Sequence, residues 1–398
     1  MLEIYKLFPD IDRIATNTVM RDARISANID SARDTLRSLA ATRDDLESKI
    51  QKARSLRWNG ASIPEYIDEP IDGSFDAPMM LGRVNIVAAD GSQIFPDRHG
   101  VALYYLINIG SIIFRHGITR TPEGQTQTYI GADDEELYDG DGVVTNSKIS
   151  AQRDLRELEK LKELCEAESK EDKTVALLDN GLLPVFLDRS QDENLWKTFI
   201  KKSLELLQSI QNLASASVAG VVNEPRATHV VSLLHLSTFT NLNLITQDSL
   251  PVFRSTFQHI TDAALFKDLL RAGQRSAIFI TDSSLNREEY KGEQQIHFFY
   301  LNVSDNEKYK VILRVEIPRW VAVDKEKRDL VHAAIYSQCK VMNNAPYPYI
   351  LTCAHEQAVV TSQDRQLFER EISVALIRSG RTPKLSEKQQ GKNMLRRR

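Results

Sequence analysis

The sequence contains no run of about eighteen apolar residues, so no segment of it is expected to span a membrane. Its start, Met1-Leu2-Glu3-Ile4-Tyr5-Lys6, lacks the apolar core of a signal peptide, which predicts a cytoplasmic protein. Only three cysteines occur, Cys165, Cys339 and Cys353. They are odd in number, lie far apart and fit neither a zinc spacing nor a disulfide framework, so they are expected to be reduced and mostly buried. Positive charge is not in excess: the net charge of −4 excludes a uniformly basic nucleic-acid coat and makes any phosphate contact local. No internal repeat is visible.

What remains is an ordinary globular composition, 27% charged and 42% hydrophobic, in 398 residues. That length suits two or three average domains or one elaborated core with insertions. Residues 10–58 hold neither Gly nor Pro, and Ile25, Ile29, Ala32, Leu36 and Leu39 fall three or four apart. Such a stripe predicts a long amphipathic helix or helix pair over 1–58, buried as a dimer contact or as a brace across the core. A Pro-, Gly- and Asp-rich stretch from Asn59 to Pro78 then separates it from a sheet. Val101–Phe114 is an apolar run best split into two strands of a hairpin, and residues 121–147, poor in apolar side chains, read as a surface excursion. A helix over about 147–168 follows, with Leu155, Leu158, Leu161 and Leu164 on one side. Further elements are expected over 174–179 (strand), 193–213 (helix), 217–222, 276–281, 295–303 and 309–317 (strands), then 325–342 and 363–378 (helices). A basic flexible tail closes the chain over 381–398.

Two short apolar strands end in acids, Val84-Asn85-Ile86-Val87-Ala88-Ala89-Asp90 and Thr174-Val175-Ala176-Leu177-Leu178-Asp179. Side chains that do chemistry in open α/β sheets cluster where strands stop, and two carboxylates there suit a hard divalent cation. Each acid alone could equally cap a turn or a following helix. The element order is strand, hairpin strands, helix, strand, helix, strand, the order of a ribonuclease H-like mixed sheet. In that fold a third acid comes from the helix beside the strands, where Glu157, Glu159, Glu163 and Glu166 are all available. Any of these could instead be a solvated glutamate paired with Arg or Lys. A site of three acids can hold two Mg²⁺ or Mn²⁺ ions roughly 3.5–4 Å apart and hydrolyse a phosphodiester. Downstream, His355 follows an aromatic and proline loop at an expected helix start, as a ligand, an acid/base or simply a packed histidine. Tyr347 could stack on a base, bind a phosphate or fill the core.

These pieces resemble the NurA nuclease family, partners of HerA-type DNA-translocating ATPases. The resemblance rests on Ala89-Asp90-Gly91-Ser92, Leu178-Asp179-Asn180-Gly181-Leu182-Leu183 and the Tyr347-Pro348 loop leading to Ala354-His355-Glu356, in that order, over roughly residues 80–380. It implies a ribonuclease H-like Mn²⁺-dependent (or Mg²⁺-dependent) DNA nuclease, homodimeric and seated on a hexameric motor. It implies Asp90 and Asp179 as metal-binding acids, His355 as the late catalytic histidine and Tyr347 as the tyrosine before it. The family's helical glutamate follows an Arg by four positions, which Arg153 and Glu157 match, so Glu157 is chosen over Glu159. The family usually has Gly-Ser where this chain has Asn180-Gly181. Thr281-Asp282-Ser283-Ser284 stands where a basic residue is common, and Asp282 is expected to cap that loop rather than bind metal.

DNA contacts are expected from Arg98, Arg287, Lys291 and the terminal arginines, giving salt-dependent, sequence-blind binding. The reading is a metal-dependent nuclease acting at DNA ends, in repair or in defence against foreign DNA. A non-catalytic adaptor of the ATPase, favoured only by the altered turn at Asn180, and a ribonuclease are the competing readings.

Overall fold

The computed structural model describes residues 2–39, 43–62, 65, 69–140, 142–170, 172–184, 187, 189–307, 309–342 and 346–382. Most of the expected tail therefore lies outside the described residues. In chain order the principal elements begin with helices α1 (Phe8–Ser38) and α2 (Arg43–Ser55). Strands β1 (Val84–Ile94), β2 (Tyr105–His116) and β3 (Glu123–Gly131) follow. Next come helix α3 (Asn146–Glu168), strand β4 (Lys173–Asp179), helix α4 (Glu193–Gln211), strand β5 (Ala216–Val222) and helix α5 (His229–Ser237). Strands β6 (Ile296–Asn302) and β7 (Ile312–Pro318) precede helices α6 (Lys325–Val341), α7 (Tyr349–Ala358) and α8 (Ser362–Arg378).

Two compact units share these elements. The first holds residues 1–80, 180–183 and 219–348; the second holds 81–179, 184–218 and 349–398. In the first, Ser74–Phe75 and Arg275–Ser276 pair at one edge, and the order continues through β6, β7 and the end of β5. Its core joins Ala32, Leu36, Leu46 and Ile50 of α1 and α2 to Val230, Leu233 and Leu234 of α5 and to Phe279, Phe298 and Tyr300. The stripe at Ile25, Ile29, Ala32, Leu36 and Leu39 thus acts as a brace within this unit. The earlier turns of α1 do not share that burial: Phe8 is 57% exposed, Ile11 44% and Val19 69%.

In the second unit the sheet order is β3-β2-β1-β4-β5, an antiparallel meander followed by a parallel step from β1 to β4. This is the expected ribonuclease H-like mixed sheet, with helices against it. Val84, Ile86, Val87, Ala88 and Ala89 are fully buried, which explains why β1 is a nearly unbroken apolar run instead of an alternating one. α3 buries Leu158, Leu161 and Leu164, and α4 buries Phe199, Ile200, Leu207 and Ile210.

Three expectations need correction. Tyr105–His116 is one strand, not a hairpin, paired along its length with β1 on one side and β3 on the other. The 121–147 excursion contains β3 itself; as an exposed edge strand it needs few apolar residues, and its signal is reduced to Thr126, Thr128, Tyr129 and Ile130. The 276–281 strand is two short pieces, Arg275–Ser276 and Phe279–Ile280, interrupted at Ala277 and Ile278. Cys165 and Cys339 are buried and Cys353 half-buried, all as free thiols, and burial pushes the Cys165 thiol up to about 12. No helix among the described residues is long and apolar enough to cross a membrane.

Candidate active site

β1 and β4 run parallel in a register that pairs Val84 with Lys173 and ends at Ala89 with Leu178. The next position in that register is Asp90 beside Asp179. In-register neighbours of a parallel pair point to the same face, roughly 5 Å apart between strands. Asp179 is the last residue of its strand, as expected. Asp90 is not: β1 continues to Ile94 because it keeps its antiparallel partner β2 after β4 has stopped. Asp90 therefore sits where one edge of a continuing strand falls open.

α3 supplies the next charges. Its N-cap is Thr145, whose side chain accepts from the Lys148 N–H and starts the helix cleanly. Two and three turns in, Arg153, Asp154 and Glu157 approach β1 over Gly91. A Cβ at residue 91 would lie 2.6 Å from Arg153 Cγ and 2.7 Å from Glu157 Oε1, so glycine is what lets the helix come this close. The Arg153 guanidinium reaches Asp154 Oδ1 at 2.5 Å, Glu157 Oε1 at 3.2 Å and Gln93 Oε1 at 3.0 Å. Burial pushes the Glu157 carboxyl well above the usual carboxylate range; the charges of Asp154, Asp90 and Asp179 add to this and Arg153 opposes it. Asp154 is raised for similar reasons, by burial first and by Asp90 in lesser part, against the pull of Arg153. The other candidate glutamates point elsewhere into ion pairs: Glu159 with Arg156, Glu163 with Lys160 and Glu166 with Lys162.

His355 lies in the last turn of α7, not at the helix start as expected, because the helix begins right after Pro348. Its Nδ1 stands 2.7 Å from Asp90 Oδ2. A carboxylate only accepts, so Nδ1 carries the proton and Nε2 offers its lone pair on a ring that is 62% exposed. α7 is held on the sheet by its end. Ser92 Oγ and Asn108 Nδ2 both donate to the Ala358 carbonyl, at 2.5 and 2.9 Å. Gly110 makes the seat, since a Cβ there would be 2.3 Å from Ala358 N and 2.6 Å from the Ala354 carbonyl oxygen.

Asp90, Glu157, Asp179 and His355 thus belong to one unit and one end of its sheet, and Arg98 is exposed in the loop after β1. Tyr347 is half-buried just before α7 and belongs to the first unit, as do Arg287 and Lys291. The Arg287 guanidinium is committed to Asp282 and Asn59, and Arg54 joins the same Asp282 carboxylate at 2.9 Å. Asp282 also accepts from the Gly60 N–H, so it ties residues 54–60 to its loop while Ser283 caps the following helix. Lys291 is exposed. Sequence reasoning passed over Asp154 and Gln93; the signals available were Asp154 one turn before Glu157 and the two-residue alternation from Gly91 to Gln93.

The turn after Asp179 repays inspection. Asn180 has φ +102°, a region where glycine is usual and Asn is among the few side chains that follow. Within the first unit, the Leu182 N–H donates to Glu316 Oε2 at 2.9 Å, and Glu316 is paired with buried Arg314. The substitution of Asn for the family's Gly is thus one the backbone tolerates.

Among the described residues no three His, Cys, Asp or Glu side chains stand close enough, as placed, to ligate one ion. The donor chemistry nonetheless fits a hard divalent cation, with carboxylates from two strands and a helix crowding one another and a single guanidinium to offset them.

The sheet is ribonuclease H-like, with carboxylates at the open end of its parallel step. The chain belongs to the NurA family, a family of nucleases: the family model described as NurA domain matches residues 84–360. Among solved structures it is similar to the NurA nuclease from Sulfolobus solfataricus, at 14% identity over 95% of this chain and 98% of that one, with a TM-score of 0.48. It is more distantly similar to the catalytic domain of human Endonuclease V, at 13% identity over 73% and 83% with a TM-score of 0.30. A third, LC9-RNase H1, is 14% identical over 40% and 72%, with a TM-score of 0.20. No curated protein matches the sequence.

Proposed function

We propose that the chain is a divalent-metal-dependent deoxyribonuclease whose ions are held by Asp90, Glu157 and Asp179, with His355 assisting. The observation that supports the reading is the register of β1 and β4, which runs to Ala89 beside Leu178 and so makes Asp90 and Asp179 the next neighbours, with Glu157 of α3 packed over the adjoining Gly91. When bound, Mn²⁺ or Mg²⁺ supplies an activated water and neutralises charge on the leaving oxygen. The chain's own residues do the rest. Asp90 fixes the imidazole by accepting from Nδ1–H, leaving Nε2 to take a proton from water or to serve as a further ligand. Arg153 holds Glu157 and Asp154 apart from the neighbouring acids until a cation offsets them. Arg98 and Lys291 contact phosphates, while Tyr347 would meet the strand from its loop.

Within this reading the enzyme trims DNA ends in partnership with a HerA-like hexameric ATPase, in repair or in anti-phage defence, as a cytoplasmic homodimer. The dimer contact is proposed along Phe8, Ile11, Ala15 and Val19, spaced three or four apart on the exposed part of α1. The adaptor alternative loses its motive, since Asn180 suits its positive φ.

The test is cleavage of linear single- and double-stranded DNA with Mn²⁺, with Mg²⁺ and with chelator. Asp90→Asn and Asp179→Asn are expected to lower turnover by at least about a thousandfold with unchanged melting temperature. Cleavage at wild-type rates by both variants, or undiminished cleavage in chelator, would refute the assignment.

A further inference from the structure

The first unit contains a cavity of 480 Å³ that the nuclease chemistry does not use. Its walls include Trp58, His229, Phe253 and His259 together with Ser232 and Thr261, and among the described residues no Lys, Arg, Asp or Glu lines it. We propose that this cavity binds a nucleobase, stacked on the aromatic walls and hydrogen-bonded through an acceptor atom to His229. The ligand class rests on the nuclease reading; the shape and chemistry of the cavity do not.

His229 is built to be a donor. Arg314 Nη1 lies 3.2 Å from His229 Nδ1, and a guanidinium can only donate, so the imidazole proton is on Nε2. Burial, with Arg314 adding to it, pushes the His229 pKa down to about 3, which keeps the ring neutral at any working pH. The cavity thus offers flat aromatic surface, one fixed N–H and small hydroxyls, without a charged group to attract phosphate. That combination matches the uncharged, planar, acceptor-bearing part of a nucleotide. The site is also connected. Arg314 pairs with Glu316 at 2.9 Å, and Glu316 accepts the Leu182 N–H in the turn that follows Asp179.

The experiment uses the full chain in chelator, so that nothing is cut, with tryptophan fluorescence and calorimetry as readouts. The probes are adenosine 5′-monophosphate, an oligodeoxyadenylate of about twelve nucleotides and an abasic strand of equal length. The base-bearing probes are expected to bind at least about tenfold more tightly than the abasic strand, and Phe253→Ala is expected to erase that difference. Phe253 is 64% exposed, so the variant folds, and His229→Phe adds a second check that keeps the ring but removes the donor. If the monophosphate binds and the oligonucleotide does not compete, the site takes free nucleotides; if the oligonucleotide competes, it takes strand-borne bases. Both results uphold a nucleobase site. Equal affinity for abasic and base-bearing strands with no binding of the monophosphate, or a Phe253→Ala variant identical to wild type, overturns it. Cleavage by the wild-type protein with Mn²⁺ or Mg²⁺ is the separating control: base binding by a wild-type chain that cuts no DNA with either metal sinks the nuclease reading and leaves the cavity standing.

Discussion

Gly110→Ala is the sharpest probe of how His355 is placed. The added Cβ would meet Ala358 N at 2.3 Å and the Ala354 carbonyl oxygen at 2.6 Å, where ordinary contact begins at 3.4 Å. Both atoms are backbone, so no side chain can turn away, and α7 must lift by roughly 1 Å. Lifting it strains the two hydrogen bonds to the Ala358 carbonyl, worth about 1 kcal/mol each, and adds about 1–3 kcal/mol of overpacking. The expected loss of stability is about 2–4 kcal/mol. A displacement of about 1 Å at a catalytic group costs on the order of a hundredfold in rate, so turnover should fall by that much under conditions where the protein stays folded. Gly124→Ala is the matched control: its Cβ would meet only the Gln357 side chain, at 3.3 Å, which can move. Chemical denaturation and steady-state cleavage on the three proteins measure both effects. A Gly110→Ala protein as stable and active as the Gly124→Ala protein would refute the claim that α7 is seated on bare backbone.

Other perturbations test the remaining parts. Glu157 binds its proton more tightly in the folded chain than in the unfolded one, so metal-free stability is fully present below the unfolded carboxylate pKa and declines as pH rises toward the higher folded value. Glu157→Gln should therefore melt higher than wild type at pH 8 in chelator, with the gap closing toward pH 4.5, and Mn²⁺ should raise the melting temperature of wild type alone. A gap that does not change with pH would contradict this. Asn180→Gly should be neutral, whereas Asn180→Val should cost about 1–2 kcal/mol and slow cleavage, because a branched side chain resists φ +102°. Removing residues 2–24 should convert a dimer to a folded monomer by mass measurement, since only later residues of α1 reach the core. Removing 1–50 should unfold the first unit, since Ala32, Leu36, Leu46 and Ile50 go with it.

Much of the scaffold was legible because burial leaves a periodic trace. The α3 leucines and the apolar run of β4 each announced an element within a residue, while the run of β1 announced its start at Val84 but not its end, which lies at Ile94, four residues past Asp90. What misled was context. Gly110 inside a long apolar run reads as a break, whereas it marks the crossing of another backbone. β3 loses its apolar face because it is an edge, and residues 121–147 then look like a loop. Asp282 is held by Arg54 and Arg287, which come from segments more than two hundred residues apart, and no local pattern joins them.

The position of Asp90 shows why a candidate acid can be picked out in a sequence while the geometry around it is missed. The acid was expected to end its strand, since that is where a side chain escapes the ladder. In the folded chain it escapes differently. β1 keeps β2 on one side through Ile94, while β4 on the other side ends at Asp179, so the opening is created by the shorter neighbour. A strand's own sequence encodes its apolar run but not the length of the strand beside it. α3 comes close over Gly91 on one face of the sheet and α7 over Gly110 on the other, two bare glycines that set how near Glu157 and His355 come to β1 and β2. The placement of the candidate residues is thus set by three backbone facts, namely where β4 stops and where two helices are allowed to touch the sheet, and the proposed chemistry depends on the positions those facts define.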